Sequence, residues 1–204
     1  MPDYSTQSLA RLVQPDRVHR NLYTDPAIFA LEMERIFERI WIYVGHESQV
    51  RNPGDFFATR IGTKPVVMSR HSDGRVYVVH NQCAHRGVQV VAEDSGNAQE
   101  FRCCYHGWSY HTDGRIKNIP LRHAYGARVD VNDPKLAMVQ VPRVRSYRGF
   151  VFASLAPTGP SLEDFLGHIA TSLDDMVDRA PDGEIEIAGG VFKHGYDGNW
   201  KLYL

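Results

Sequence analysis

Cys83-Ala84-His85-Arg86-Gly87, a spacer ending at Arg102, and Cys103-Cys104-Tyr105-His106-Gly107-Trp108 make up the stretch from 83 to 108, a C-x-H pattern followed by C-x-x-H. Two thiolates and two imidazoles brought together by two short loops can hold a tetrahedral metal ion, or an iron-sulfur cluster in which histidines replace two cysteines on one iron. Zinc modules usually pair like with like, C-x-x-C with H-x-x-x-H, because each half-site is then one turn. Here each loop carries one Cys and one His, an arrangement suited to two metals that each take one ligand from each loop. Cys83, His85, Cys103 and His106 are the candidate ligands, with a structural zinc site as the alternative.

Outward from the loops the period of the sequence is close to two. Pro65-Val66-Val67-Met68-Ser69-Arg70 and Arg75-Val76-Tyr77-Val78-Val79-His80 flank Ser72-Asp73-Gly74, which predicts a β-hairpin running into the first loop. Residues 98–102 predict a short strand into the second loop, and Ser109-Tyr110-His111, Asp113-Gly114 and Arg115-Ile116 a hairpin leaving it. Strands near 138–144 and 148–154 are expected to close a small antiparallel domain.

Before this domain, residues 1–23 read as an irregular arm. Asp25-Pro26 is a helix start, and Phe29, Met33, Ile36 and Ile40 recur at i, i+4, i+7 and i+11, predicting an amphipathic helix over 26–39. After it, Ala156-Pro157-Thr158-Gly159-Pro160 reads as a linker, and Ser161 with Asp164 as a cap for a helix over 161–180. Glu184-Ile185-Glu186-Ile187 and Val191-Phe192-Lys193-His194 alternate like strands. The expected segments are 1–40, 41–156 and 157–204, and the fold class is mainly β with flanking helices, an α+β chain.

With 204 residues and 43% hydrophobic content the chain can build a sizeable core. Its 23 basic and 24 acidic residues are mixed along the sequence, for a formal charge of -1, which argues against a nucleic-acid partner. Of three cysteines, two belong to the ligand pattern, and an odd Cys104 suits a reducing compartment. The opening MPDYSTQSLARLVQ lacks a charged and then apolar leader, and no run of about 18 apolar residues occurs, so a cytoplasmic protein without a membrane partner is expected.

The stretches CAHRG and CCYHGW resemble the signature of Rieske proteins. Respiratory Rieske proteins carry an extra Cys in each loop, joined as a disulfide; Val88 and Tyr105 stand at those positions here, and Cys104 comes one residue too early. The loops instead resemble those of the large (alpha) subunit of Rieske non-haem iron aromatic-ring-hydroxylating oxygenases, where Arg-Gly follows the first His and Gly-Trp the second. The resemblance continues through Gly149-Phe150-Val151-Phe152 and Gly198-Asn199-Trp200-Lys201-Leu202, and covers almost the whole chain.

That resemblance implies a 2Fe-2S cluster with Cys83 and Cys103 on the buried iron and His85 and His106 on the outer one. It implies electrons arriving from a ferredoxin or flavin reductase and leaving for a mononuclear non-haem Fe(II), where dioxygen is activated and an aromatic ring hydroxylated. It also implies three large subunits in a ring, as a homotrimer or an alpha3beta3 hetero-oligomer. The segment 157–204 would then be the start of an α+β catalytic domain. In the family, the iron-binding residues follow the Asn-Trp-Lys element, so no catalytic residue is expected in this chain, which alone is not expected to hydroxylate. His194 with Asp197 is the one late pair at close spacing, and it sits in a strand-like run where the two face opposite sides. A stand-alone Rieske-type ferredoxin is the alternative, disfavoured by the leading helix and the Asn199-Trp200-Lys201 ending. With Trp108 in place of a hydroxyl donor, donors to sulfur are expected to be mainly loop amides, and the potential to be low, roughly -150 to 0 mV.

Overall fold

The computed structural model describes residues 4–203. The first three residues of the expected arm, the side chains of residues 126–128 and Leu204 lie outside the described residues.

The strands are β1 (Val13–Gln14), β2 (Arg17–Val18), β3 (Ile42–His46), β4 (Asp55–Ile61), β5 (Lys64–Arg70), β6 (Val76–His80), β7 (Ser95–Asn97), β8 (Phe101–Arg102), β9 (Ser109–Tyr110), β10 (Ile116–Asn118), β11 (Arg143–Tyr147) and β12 (Phe150–Ser154). All pairings between them are antiparallel. They form a four-stranded sheet in the order β6-β5-β4-β7, three-stranded sheets β10-β9-β8 and β11-β12-β3, and the small hairpin β1-β2.

The apolar run in β5 has a direct cause: both faces of that strand are covered. Val66 and Met68 point into one core with Val44, Val50, Ile61, Val78, Val141 and Val151, whereas Val67 points into another with Val79, Phe101, Trp108, Tyr110 and both Cys83 and Cys103. Alternating side chains serve opposite faces of a strand, so two buried faces demand an unbroken hydrophobic stretch. The second core is the one that holds the candidate ligands.

The β5-β6 hairpin forms as expected, with Val66 opposite His80 and Arg70 opposite Val76. Other expectations need correction. The arm contains α1 (Thr6–Ala10), the β1-β2 hairpin and α2 (Asn21–Thr24), with Ser5 capping α1 through Ser8 N at 3.3 Å. The helix expected over 26–39 is α3 (Pro26–Glu32), started by Asp25 accepting from Ala27 N, and it continues as a wide π turn over Met33–Phe37. The wide turn shifts the apolar face: Ile28 is buried and Phe29 is 38% exposed, while Met33 and Phe37 close on Gly62 in the β4-β5 turn.

The strand expected over 138–144 begins only at Arg143. Before it, one bridge pairs Val79 with Gln140, and Pro142, which has no N–H to give, separates that bridge from β11. The helix expected over 161–180 is two, α4 (Leu162–Leu166) and α5 (Ile169–Asp178), broken at Gly167 with φ +49°; Ser161 caps the first by accepting from Asp164 N at 3.0 Å. The alternating residues 184–187 and 191–194 are not strands, because among the described residues they pair with none. They are tied down instead by Arg51 to Glu186, Ile187 N to Ser48 Oγ at 3.0 Å, and Lys193 to Asp94 at 2.7 Å. No helix among the described residues is long and apolar enough to cross a membrane.

Candidate metal centre

The two ligand loops are built the same way. In the first, Cys83 N donates to Val88 O and Gly87 N to Cys83 O, both at 2.8 Å; in the second, Cys103 N donates to Trp108 O at 2.8 Å and Gly107 N to Cys103 O at 3.0 Å. Each Cys therefore starts a tight turn that a glycine closes, with φ +69° at Gly87 and +70° at Gly107. The glycines answer a backbone demand, since left-handed residues carrying a Cβ are strained. Close approach does not explain Gly87, around whose absent Cβ nothing lies within 4 Å.

β6 delivers the first loop and Asn81 locks it. This buried side chain accepts from Val90 N at 3.1 Å and Val91 N at 2.9 Å and donates to Val91 O at 2.7 Å, which closes the chain on both sides of Cys83 and His85. β8 leads into the second loop and β9 leaves it.

The four expected ligands fall into two pairs. Cys83 and Cys103 are each 3% exposed and lie in the same core. His85 and His106 stand with ring centroids 4.7 Å apart, nearer the surface. Burial, then the neighbouring His106 and Arg86, hold the His85 ring below its ordinary pKa, so it is neutral and free to ligate near pH 7. Its Nδ1 is buried and has no hydrogen-bond partner, a costly condition that a metal bond relieves. Among the described residues no three His, Cys, Asp or Glu side chains converge as around a lone metal ion. A two-iron cluster asks for two donors on each of two irons.

Trp108 stacks on His85, ring centroids 4.9 Å apart and planes at 7°, and covers one face of that imidazole. Tyr105 is 56% exposed, lies 3.9 Å from the His106 ring and carries the Arg86 guanidinium over its own ring at 5.9 Å. Cys104 is exposed and turned away from the core that holds its neighbour. His194 and Asp197 are both exposed and form no cluster among the described residues.

Two functional residues were not found from sequence. One is Asn81, a polar residue at the end of an otherwise apolar strand, which is the only local signal it gives. The other is Tyr110, fully buried, whose hydroxyl lies 3.0 Å from Cys83 Sγ and accepts from Ala84 N at 3.1 Å. Burial, then the Cys83 sulfur, push this hydroxyl well above its ordinary pKa, so it stays protonated and able to donate to the sulfur. To the loop amides expected as donors to sulfur the structure adds a side-chain hydroxyl, which reaches one of the two thiols.

The description of the Rieske [2Fe-2S] domain matches residues 40–147. The chain is 41% identical over 187 residues to the anthranilate 1,2-dioxygenase large subunit of Acinetobacter baylyi, covering 91% of this chain and 39% of that one. It is 38% identical over 201 residues to the N,N-dimethyl phenylurea N-demethylase subunit alpha of a Sphingobium species, covering 98% of this chain and 42% of the relative. The solved structure of naphthalene 1,2-dioxygenase from Rhodococcus bound to indole is similar with a TM-score of 0.72 and 36% identity, over 78% of this chain and 36% of that one. The chain thus spans less than half the length of these relatives.

Proposed function

This chain belongs to the Rieske [2Fe-2S] domain family, and on that premise we propose that Cys83 and Cys103 hold one iron of a 2Fe-2S cluster and His85 and His106 the other. The observation that carries the assignment is the buried, unpartnered Nδ1 of His85 beside the His106 ring, in the same two loops that bury Cys83 and Cys103. When bound, such a cluster supplies one-electron transfer. The protein's own residues then divide the work: the thiols lie inside the core, Tyr110 donates to Cys83, Trp108 shields His85, and His106 stays exposed at the edge.

The reading extends to a ring-hydroxylating oxygenase whose electron-accepting portion this is. Electrons from a ferredoxin or flavin reductase would be received at the exposed His106 edge and would serve a mononuclear iron that none of the described residues is assigned to hold. The relatives are a dioxygenase large subunit and an alpha subunit whose names specify anthranilate and a phenylurea. Both names support an aromatic substrate and assembly with other subunits, and neither is a free-standing ferredoxin; the assembly proposed is a homotrimer or alpha3beta3. The Rieske domain is assigned to 41–156, the arm and helix to 1–40, and the start of the catalytic domain to 157–204. A cytoplasmic location accords with the unpaired Cys104.

Iron and sulfide analysis with EPR of the dithionite-reduced protein tests the assignment. Two irons and two sulfides per chain, with the low average g of mixed His and Cys ligation, are expected. Zinc without iron would exclude it.

A further inference from the structure

The sequence contains one five-residue pattern twice, His71-Ser72-Asp73-Gly74-Arg75 and His111-Thr112-Asp113-Gly114-Arg115. Each copy folds into the same turn. In the first, His71 N donates to Arg75 O, Gly74 N to His71 O and Arg75 N to Asp73 Oδ1, each at 2.9 Å. In the second, the matching distances are 2.8, 2.9 and 3.0 Å. The first turn joins β5 to β6, which runs on toward Cys83; the second joins β9 to β10, and β9 starts directly after Trp108. Each ligand loop therefore has a copy of the turn at the opposite end of its own hairpin.

The two turns are bonded to each other. Ser69 Oγ donates to Thr112 O at 2.6 Å, with both residues buried, and His71 Nδ1 lies 2.8 Å from Thr112 Oγ1. His71 Nε2 is 3.8 Å from the buried carboxylate of Asp113, which Arg115 also holds, and the rings of His71 and His111 meet edge to face at 6.2 Å. A turn needs only its internal bonds to form. Buried polar bonds between two turns add a fixed register, because any slip leaves a buried donor or acceptor unpaired. The register matters at the other end, where Tyr110 of β9 reaches Cys83 Sγ beyond β6.

We infer that the paired turns form a clamp, in which His71 and Thr112 are positioning residues. They set the relative placement of the two ligand hairpins, and with it the Tyr110 to Cys83 hydrogen bond. The inference rests on the 2Fe-2S reading given above.

The test uses the full chain with its cluster and reads the midpoint potential and EPR line shape of Thr112→Val, His71→Ala and His71→Asn, each also in a Tyr110→Phe background. Thr112→Val keeps shape and removes one hydroxyl. A downward shift in Thr112→Val and His71→Ala is expected, with His71→Asn, which keeps a nitrogen near the Nδ1 position, close to wild type. In the Tyr110→Phe background the same changes are expected to leave the potential where Tyr110→Phe alone puts it. A lowered melting temperature with an unchanged potential would mean the turns only stabilise the fold. A shift that persists without the Tyr110 hydroxyl would also overturn the clamp. Wild-type protein lacking iron and sulfide would overturn the cluster reading and the clamp together, whereas an intact cluster with silent variants would overturn the clamp alone.

Discussion

The hydroxyl of Tyr110 lies 3.0 Å from the Sγ of Cys83, joining the strand that leaves the second ligand loop to the first residue of the other loop. A donor to sulfur favours the reduced, more negative cluster. Tyr110→Phe is expected to keep the fold and lower the midpoint potential. A hydrogen bond to a charged group worth about 1–2 kcal/mol more in the reduced state corresponds to roughly 40–90 mV for one electron. Protein-film voltammetry checks it, and an unchanged potential would remove Tyr110 from the tuning of the site.

Replacing Cys83 or Cys103 by Ser is expected to abolish the visible absorption of the cluster and its iron content. Cys104→Ser is expected to leave both intact, since that thiol is exposed while the other two are buried together. Equal loss from Cys104→Ser would show that the assigned register of the second loop is wrong.

The glycines that close the two loops separate conformation from space. Gly87→Ala meets only the left-handed backbone penalty, about 1–2 kcal/mol. Gly107→Ala adds a Cβ 3.2 Å from the Pro120 ring. Urea denaturation of the two variants is expected to show the larger loss for Gly107→Ala. If the order reverses, Pro120 gives way and something unseen crowds Gly87.

His46 is 4% exposed, and burial holds its pKa below the ordinary 6.5, partly offset by the Arg148 backbone and then by Glu47. It folds neutral. As pH falls below 6.5 the unfolded chain binds a proton that folded His46 refuses, so this contribution is full above that pH and declines below it. The denaturation midpoint is expected to drop from pH 7.5 to pH 5.5, and to drop less in His46→Gln. Identical pH dependence in the two proteins would assign the effect to other histidines.

How much could be read in advance depended on the range of the interactions. Cys83, His85, Cys103 and His106 sit in two turns whose signals are local, so those turns were legible in the spacing. The β5-β6 hairpin was equally legible, because Ser72-Asp73-Gly74 sits between two apolar runs. Asn81 and Tyr110 were not, since each works by reaching a partner distant in sequence. Phe29 misled for a related reason: the π turn at Met33–Phe37 moved the buried face to Ile28, and nothing local marks that insertion. Residues 184–187 and 191–194 alternate as strands would, yet alternation makes a strand only when a neighbour completes the ladder.

Because β5 sends Val66 and Met68 into one core and Val67 into the other, the two cores share a wall that neither can lose alone. Stripping iron from the sulfur side should therefore be felt on the opposite face of the same sheet. Amide hydrogen exchange would register it as faster deuteration of β5 and β4 in concert, and calorimetry as one endotherm that moves down in temperature without splitting.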